Sequence, residues 1–189
     1  MQDRLVFLIG SPRSGSTLSS RLLGAHSEIF APEEPHLITP IAHLGYYGSV
    51  EEAPYDPIIV RQAARHLVAH LPGGESAYLD ALRAYTDAVY RGLLGSEEAG
   101  AASLLLDKTP AYALCLDFLA RLYPEARYVV LTRHPIAVWS SYVDSFFDGD
   151  DRVAHAHNPL LERYVPAIAR FLRTATVPIH ALHYESLVR

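Results

Sequence analysis

A chain of 189 residues, half of them hydrophobic, can bury one substantial core and suits a single α/β domain. With 16 basic against 21 acidic residues the formal net charge is −5, which excludes general affinity for nucleic acid, since that needs a basic face. The one cysteine, Cys115, cannot close an internal disulfide, and no apolar run at the N-terminus is long enough for a signal core or membrane span, so the sequence reads as cytoplasmic and without a membrane partner.

Leu5 to Ile9 is an apolar run suited to a buried parallel strand. It leads into a loop with two glycines and then a helical pattern carried by Leu18, Leu22 and Leu23. Strand, glycine loop and helix together aim backbone N–H groups, and the positive end of a helix dipole, at one anion. The phosphate-loop pattern is Gly, four residues, Gly, Lys, then Ser or Thr. Gly10, Gly15 and Thr17 satisfy it, and Ser16 stands at the lysine position. That lysine normally reaches the outer phosphates of a nucleoside triphosphate. Here the cation is Arg13, inside the loop, so the stretch provides for a phosphate and less for a triphosphate with magnesium. A glycine turn without a ligand would also account for this stretch taken alone.

Ile29-Phe30 reads as a short strand, followed by Ala31 to His36 (APEEPH), where Glu33 and Glu34 stand between prolines. Thr39 to Pro54 reads as a loop or lid. Asp56-Pro57 forms a helix cap and first position, leading Ile58, Ile59, Leu67 and Leu71 on one broad face. A second helix starts near Ser76, carries Leu79, Leu82, Tyr85, Tyr90 and Leu93, and stops at Gly95. The two helices read as an insertion, about residues 37–100, that covers a site within the single domain. His66 and His70 lie one turn apart without a third ligand and read as a helix face.

Ser103 to Leu106 is a short strand ending in Asp107-Lys108-Thr109-Pro110, followed by a helix with Leu114, Phe118 and Leu122 that Pro124 stops. Arg127 to Thr132 is the clearest interior strand, and Pro135 opens the next helix, through about Phe147. Gly149 to His157 reads as a polar loop with His155 and His157 solvated. Asn158-Pro159 caps a helix that Pro166 should kink or divide, and Ile179 to His183 is the last strand. Strands alternating with helices imply a parallel, right-handed sheet whose ligands bind beyond the C-terminal strand ends. Three such ends carry cations: Arg13 with its loop, Lys108, and Arg133. Arg133 offers a rigid fork for phosphate, and Ser141, eight residues on, can reach the same group from the next helix. The chain thus holds two anion sites, as a nucleotide with phosphates at both ends of its ribose requires. Pairing of Arg133 with a surface carboxylate would account for that residue by itself.

PRSGST at Pro12 to Thr17, DKTP at Asp107 to Pro110 and RYVVLTRHPIAVWSSY at Arg127 to Tyr142 together resemble the sulfotransferases that use 3′-phosphoadenosine 5′-phosphosulfate. The resemblance spans nearly the whole chain. It is nearest the bacterial branch similar to tyrosylprotein sulfotransferases and to sulfotransferase domains of polyketide synthases. It implies the P-loop-containing nucleoside triphosphate hydrolase-like fold, a central parallel sheet flanked by helices. By the resemblance, Arg13, Ser14, Gly15, Ser16 and Thr17 bind the 5′-phosphosulfate, Arg133 and Ser141 the 3′-phosphate, and Tyr184 lies near the adenine. Lys108 matches a lysine that neutralises the sulfuryl group in flight, and Glu34 the branch's catalytic carboxylate, with His36 after it as in the polyketide-synthase domains. The product would be adenosine 3′,5′-bisphosphate, with no metal required. The family also continues beyond the YESLV region into a helix and a glycine- and basic-rich loop over the nucleotide's 3′ side, for which this sequence has no counterpart.

In-line attack of a hydroxyl on sulfur relies on positioning and charge stabilisation, which Arg13 and Lys108 would supply. A base must take the acceptor proton. Glu34 is favoured; His36 is the rival, since an imidazole changes charge near neutral pH unaided. The acceptor expected is a small hydroxylated metabolite or a hydroxyacyl chain on a carrier protein, and Trp139, Tyr46, Tyr47 and Tyr142 are candidates to line its pocket. The alternatives are a small-molecule kinase or nucleoside triphosphatase using ATP and magnesium, with Asp107 the only contender for the metal, or a nucleotide-binding fragment without turnover. Nothing in the sequence fixes the oligomeric state.

Overall fold

The computed structural model describes residues 1–44 and 57–189. Strands β1 (Leu5–Ile9), β2 (Ile29–Phe30), β3 (Leu104–Asp107), β4 (Arg127–Thr132) and β5 (Ile179–His183) form one parallel sheet in the order β2-β3-β1-β4-β5. Around it lie α1 (Ser16–Gly24), α2 (Ile38–Ala42), α3 (Pro57–His70), α4 (Gly74–Leu94), α5 (Leu116–Leu122), α6 (Pro135–Phe146), α7 (Asp151–His157), α8 (Leu160–Thr174) and α9 (Tyr184–Leu187). This is the parallel, helix-flanked sheet that the alternation of strands and helices predicts, in the P-loop-type arrangement that the resemblance implies. Its register sets β1 at the centre, with Phe7 opposite Asp107 on β3 and Tyr128 on β4.

All five residues of β1 are buried, as expected of a strand covered on both faces. Leu5, Phe7 and Ile9 face the larger core. There Phe7 sits among the rings of Tyr90, Tyr112, Tyr123 and Tyr128, at 6.5, 6.4, 5.5 and 5.5 Å. These tyrosines are fully buried, and each hydroxyl finds a partner; Tyr128, for example, donates to the carbonyls of Leu119 and Tyr123. Val6 and Leu8 face a smaller cluster with Leu106 and Leu131.

Helix α1 meets the sheet in an unexpected way. Its buried residues are Ser16, Ser19 and Ser20, while Leu18 and Leu22 are exposed and only Leu23 packs on the core. Small side chains let the helix axis approach the strands, and Ser19 satisfies its hydroxyl on the Gly15 carbonyl at 3.2 Å.

Other expectations also need correction. Ile58, Ile59 and Leu67 of α3 are exposed rather than forming a buried face, and the helix buries Val68. Helix α4 buries Thr86, Tyr90 and Leu94, of which Tyr90 and Leu94 belong to the main core. The stretch after β3 is split into a 3-10 turn, Pro110–Leu114, and α5, and Leu114 is exposed. Gly149 to His157 is not a loop. Asp150 accepts from the N–H groups of Arg152 and Val153 and so caps α7. Helix α8 runs on through Pro166, which is exposed, so the carbonyl it leaves without a partner lies toward solvent. Tyr46, Tyr47, Asp56 and most of the expected lid lie outside the described residues.

Candidate active site

The loop between β1 and α1 is built for an approaching anion. Gly15 stands before the helix at φ +95°, and no side chain caps the first N–H groups of α1. The nearby Ser14 hydroxyl is buried without a hydrogen-bond partner among the described residues. Unclaimed donors at a helix N-terminus of nine residues, plus an orphaned hydroxyl, are what a phosphate would satisfy.

Arg13 also takes a left-handed conformation, φ +65°, which a non-glycine residue seldom holds without help. Its carbonyl accepts from Arg133 Nη1 at 2.9 Å. Arg133 in turn lies over the ring of Tyr184, 4.4 Å from its centroid, and that ring rests on Gly15, where a Cβ would stand 2.3 Å from Cδ2. The Arg13 guanidinium leaves the loop toward α6: Nε donates to Ser141 Oγ at 3.2 Å and Nη2 to Ser145 Oγ at 2.9 Å. Arg13, Gly15, Thr17, Arg133, Ser141 and Tyr184 thereby line one cavity of about 390 Å³. Ser145 was not singled out from the sequence, although it lies one helical turn beyond Ser141 and shares its face.

A second cavity, about 500 Å³, opens where β3 ends, lined by Thr17, Arg21, Glu33, Glu34, His36 and Lys108 among others. Thr17 belongs to both cavities. Lys108 is almost fully buried and ion-pairs with Glu34 Oε1, while His36 Nε2 lies 3.4 Å from Glu34 Oε2. Glu34 itself is 37% exposed, so it presents a carboxylate to the cavity between a cation and an imidazole. Of the two cations assigned to the transferring group, Lys108 alone faces Glu34; Arg13 stands with Ser141 in the other cavity. Arg21 and the buried Ser20, also lining this space, had no motif to mark them.

The remaining candidates have structural roles. Trp139 donates to Asp151 at 2.8 Å and packs against Tyr142 and His155, joining α6 to α7. His157 stacks on Phe147, and the rings of His66 and His70 lie 4.2 Å apart with His70 Nδ1 on the His66 carbonyl. Burial pushes the Cys115 thiol up to about 12. Glu185 accepts from the His134 N–H at 2.8 Å, which holds its carboxyl below the ordinary range. No described helix is long and apolar enough to cross a membrane.

Known proteins resemble this chain in sequence and fold. The profile described as "Sulfotransferase family" matches residues 6–189. The nodulation protein NoeE of Sinorhizobium fredii (strain NBRC 101917 / NGR234) is 36% identical over 138 residues, 72% of this chain and 30% of that protein. The chain thus spans under a third of that relative's length. The sulfotransferase domain from the curacin biosynthetic pathway is 28% identical with a TM-score of 0.57, covering 97% of this chain and 68% of that one. A sulfotransferase from Alicyclobacillus acidocaldarius, 15% identical with a TM-score of 0.59 over 97% of this chain and 74% of its own, shares the fold. With the profile spanning almost every residue, including both cavities, the chain belongs to the sulfotransferase family.

Proposed function

We propose that the chain transfers a sulfuryl group from 3′-phosphoadenosine 5′-phosphosulfate to an acceptor hydroxyl. The bound donor would supply an activated sulfuryl group on an anhydride oxygen. The chain's own part is to hold both phosphates, screen charge and accept a proton. Backbone N–H groups around Ser14 to Thr17 would take the 5′ end, and Arg133, Ser141 and Arg13 the 3′-phosphate, with Tyr184 beside the base. Lys108 would meet negative charge at the sulfur, and Glu34, oriented by Lys108 and His36, would take the hydroxyl proton. The observation that carries this reading is the shared residue Thr17: it lines both the cavity of the glycine loop and a second cavity holding a lysine–carboxylate–histidine line.

The acceptor proposed is a small hydroxylated metabolite or a carrier-bound hydroxyacyl chain. The similarity to a domain from a biosynthetic pathway supports this choice. The kinase alternative loses support because Asp107, its only metal candidate, is fully buried and its carboxylate is taken by three hydroxyls. Calorimetric titration with adenosine 3′,5′-bisphosphate and with ATP–magnesium, on wild type and Arg133→Ala, tests the reading. Bisphosphate should bind the wild type, bind Arg133→Ala at least about tenfold more weakly as a lost charge-assisted bond predicts, and outcompete ATP. Preference for ATP–magnesium indifferent to Arg133 would overturn it. Binding without release of sulfate or sulfated product would mark a chain that binds nucleotide without turnover.

A further inference from the structure

Asp107 is the only fully buried carboxylate among the described residues, and the transfer scheme gives it no task. Three hydroxyls surround it. Tyr90 donates to Oδ2 at 2.6 Å, Tyr112 to Oδ2 at 3.0 Å and Thr109 to Oδ1 at 3.1 Å. Burial raises the carboxyl to about 6, which leaves it ionised at neutral pH. An ionised carboxylate can only accept, so each hydroxyl commits its single proton to Asp107 and turns its lone pairs elsewhere.

Two of those hydroxyls then receive the segment that carries Glu34. The His36 N–H donates to Thr109 Oγ1 at 3.4 Å, and the Ile38 N–H donates to the Tyr112 hydroxyl at 3.1 Å. Lys108 holds Glu34 itself. Residues 34, 36 and 38 are therefore fastened at alternate positions, every anchor coming from the end of β3 and the turn after it. The fastening opposes a real tendency to relax: His36 is held at φ +50°, a conformation that costs a non-glycine residue free energy. Tyr90 differs from the other two. It comes from α4, and its hydroxyl bonds to Asp107 and, among the described residues, not to this segment.

We propose that Asp107 is a positioning residue for the transfer: by orienting the Thr109 and Tyr112 hydroxyls it holds residues 34–38 in place, so that the Glu34 carboxylate stays between Lys108 and His36 at the acceptor cavity. This rests on the sulfotransferase reading above and adds to it a residue that touches neither substrate.

The test compares Tyr112→Phe, Tyr90→Phe and Asp107→Asn. Both tyrosine variants remove one buried hydroxyl from the same carboxylate, but only Tyr112 reaches the segment. Three readouts are taken: adenosine 3′,5′-bisphosphate affinity, amide hydrogen exchange over residues 34–38, and hydrolysis of 3′-phosphoadenosine 5′-phosphosulfate with water as acceptor. In that hydrolysis a water oxygen bonds to sulfur, the sulfur–phosphate oxygen bond breaks, and Glu34 takes the water proton. Tyr112→Phe and Asp107→Asn should speed exchange in the segment and lower kcat by about tenfold or more, as misplacement of a catalytic group does. Donor KM and bisphosphate affinity should stay near wild type. Tyr90→Phe should leave exchange and kcat near wild type. Equal effects of the two tyrosine variants, or no effect of Tyr112→Phe on exchange, would overturn the proposal. If Asp107→Asn fails to fold, the tyrosine pair decides alone. Failure of the wild type to bind the bisphosphate would instead overturn the sulfotransferase reading and, with it, the role in transfer, whatever the exchange contrast shows.

Discussion

Glu34 is a carboxylate whose two oxygens do different work: Oε1 is held by Lys108 and Oε2 faces His36. A proton arriving from an acceptor would have to reach one of them, and the Lys108 side is already occupied by a donor. In the transfer proposed above, Oε2 would be the basic position, with His36 orienting it. Replacing Glu34 by Gln keeps the shape and removes the base, so kcat should fall by about 10²- to 10⁴-fold while bisphosphate affinity holds. His36→Ala should cost less. A reversal of that order, measured by single-turnover sulfuryl release, would make the imidazole the base. The Lys108 contact was not legible in APEEPH, because that partner of Glu34 lies 74 residues away and only the fold brings β3 beside it; the pairing with His36, two residues on, was expected.

At the scale of elements, what the sequence revealed were strands and strand ends. RYVVLT and IHALH read correctly to the residue, the first as an apolar strand between two neighbours and the second as an edge strand paired with β4 alone, each ended by charged or helix-opening residues. Amphipathic pattern misled where contact was made by small residues. The leucines of α1 suggested its buried face, yet Ser16, Ser19 and Ser20 lie against the sheet. Helix α7 was missed because its signal is one capping aspartate, Asp150, amid charged residues that also suit a loop. The phosphate loop was legible, and Gly15 shows why glycine is needed there. Besides φ +95°, an added Cβ would strike the Tyr184 ring at 2.3 Å. Gly15→Ala should therefore lose about 1–3 kcal/mol of stability from backbone strain and weaken bisphosphate binding. Adding Tyr184→Ala should relieve the collision but not the strained φ, so only part of the stability should return in denaturant melts.

Across the whole molecule, the feature with the widest consequence is a charge inside the core. Burial moves the Asp107 carboxyl from 3.8 to about 6. Below its unfolded value both states hold the proton, and folding buries no charge. Between roughly pH 4 and 6 the unfolded chain releases its proton while the folded protein keeps it, so the folded state binds more protons and stability falls as pH rises. Above about 6 both are ionised and the loss is complete, about 3 kcal/mol for a shift of this size. Asparagine at this position does not titrate, although its amide cannot accept from all three hydroxyls and so carries a constant penalty. The difference in unfolding free energy between Asp107→Asn and wild type, followed by denaturant melts, should move in favour of the variant by about 2 kcal/mol from pH 4 to 6.5. A flat difference would mean that Asp107 titrates alike in both states. The groups facing it explain why the ionised form survives at all: Tyr90 from α4, Tyr112 and Thr109 beyond β3, and His36, which favours the anion when protonated. Protonation would give Asp107 a hydrogen of its own to donate and turn at least one surrounding hydroxyl around. The core thus sustains at neutral pH a charge that costs stability, and the positioning role proposed for Asp107 gives that charge a task.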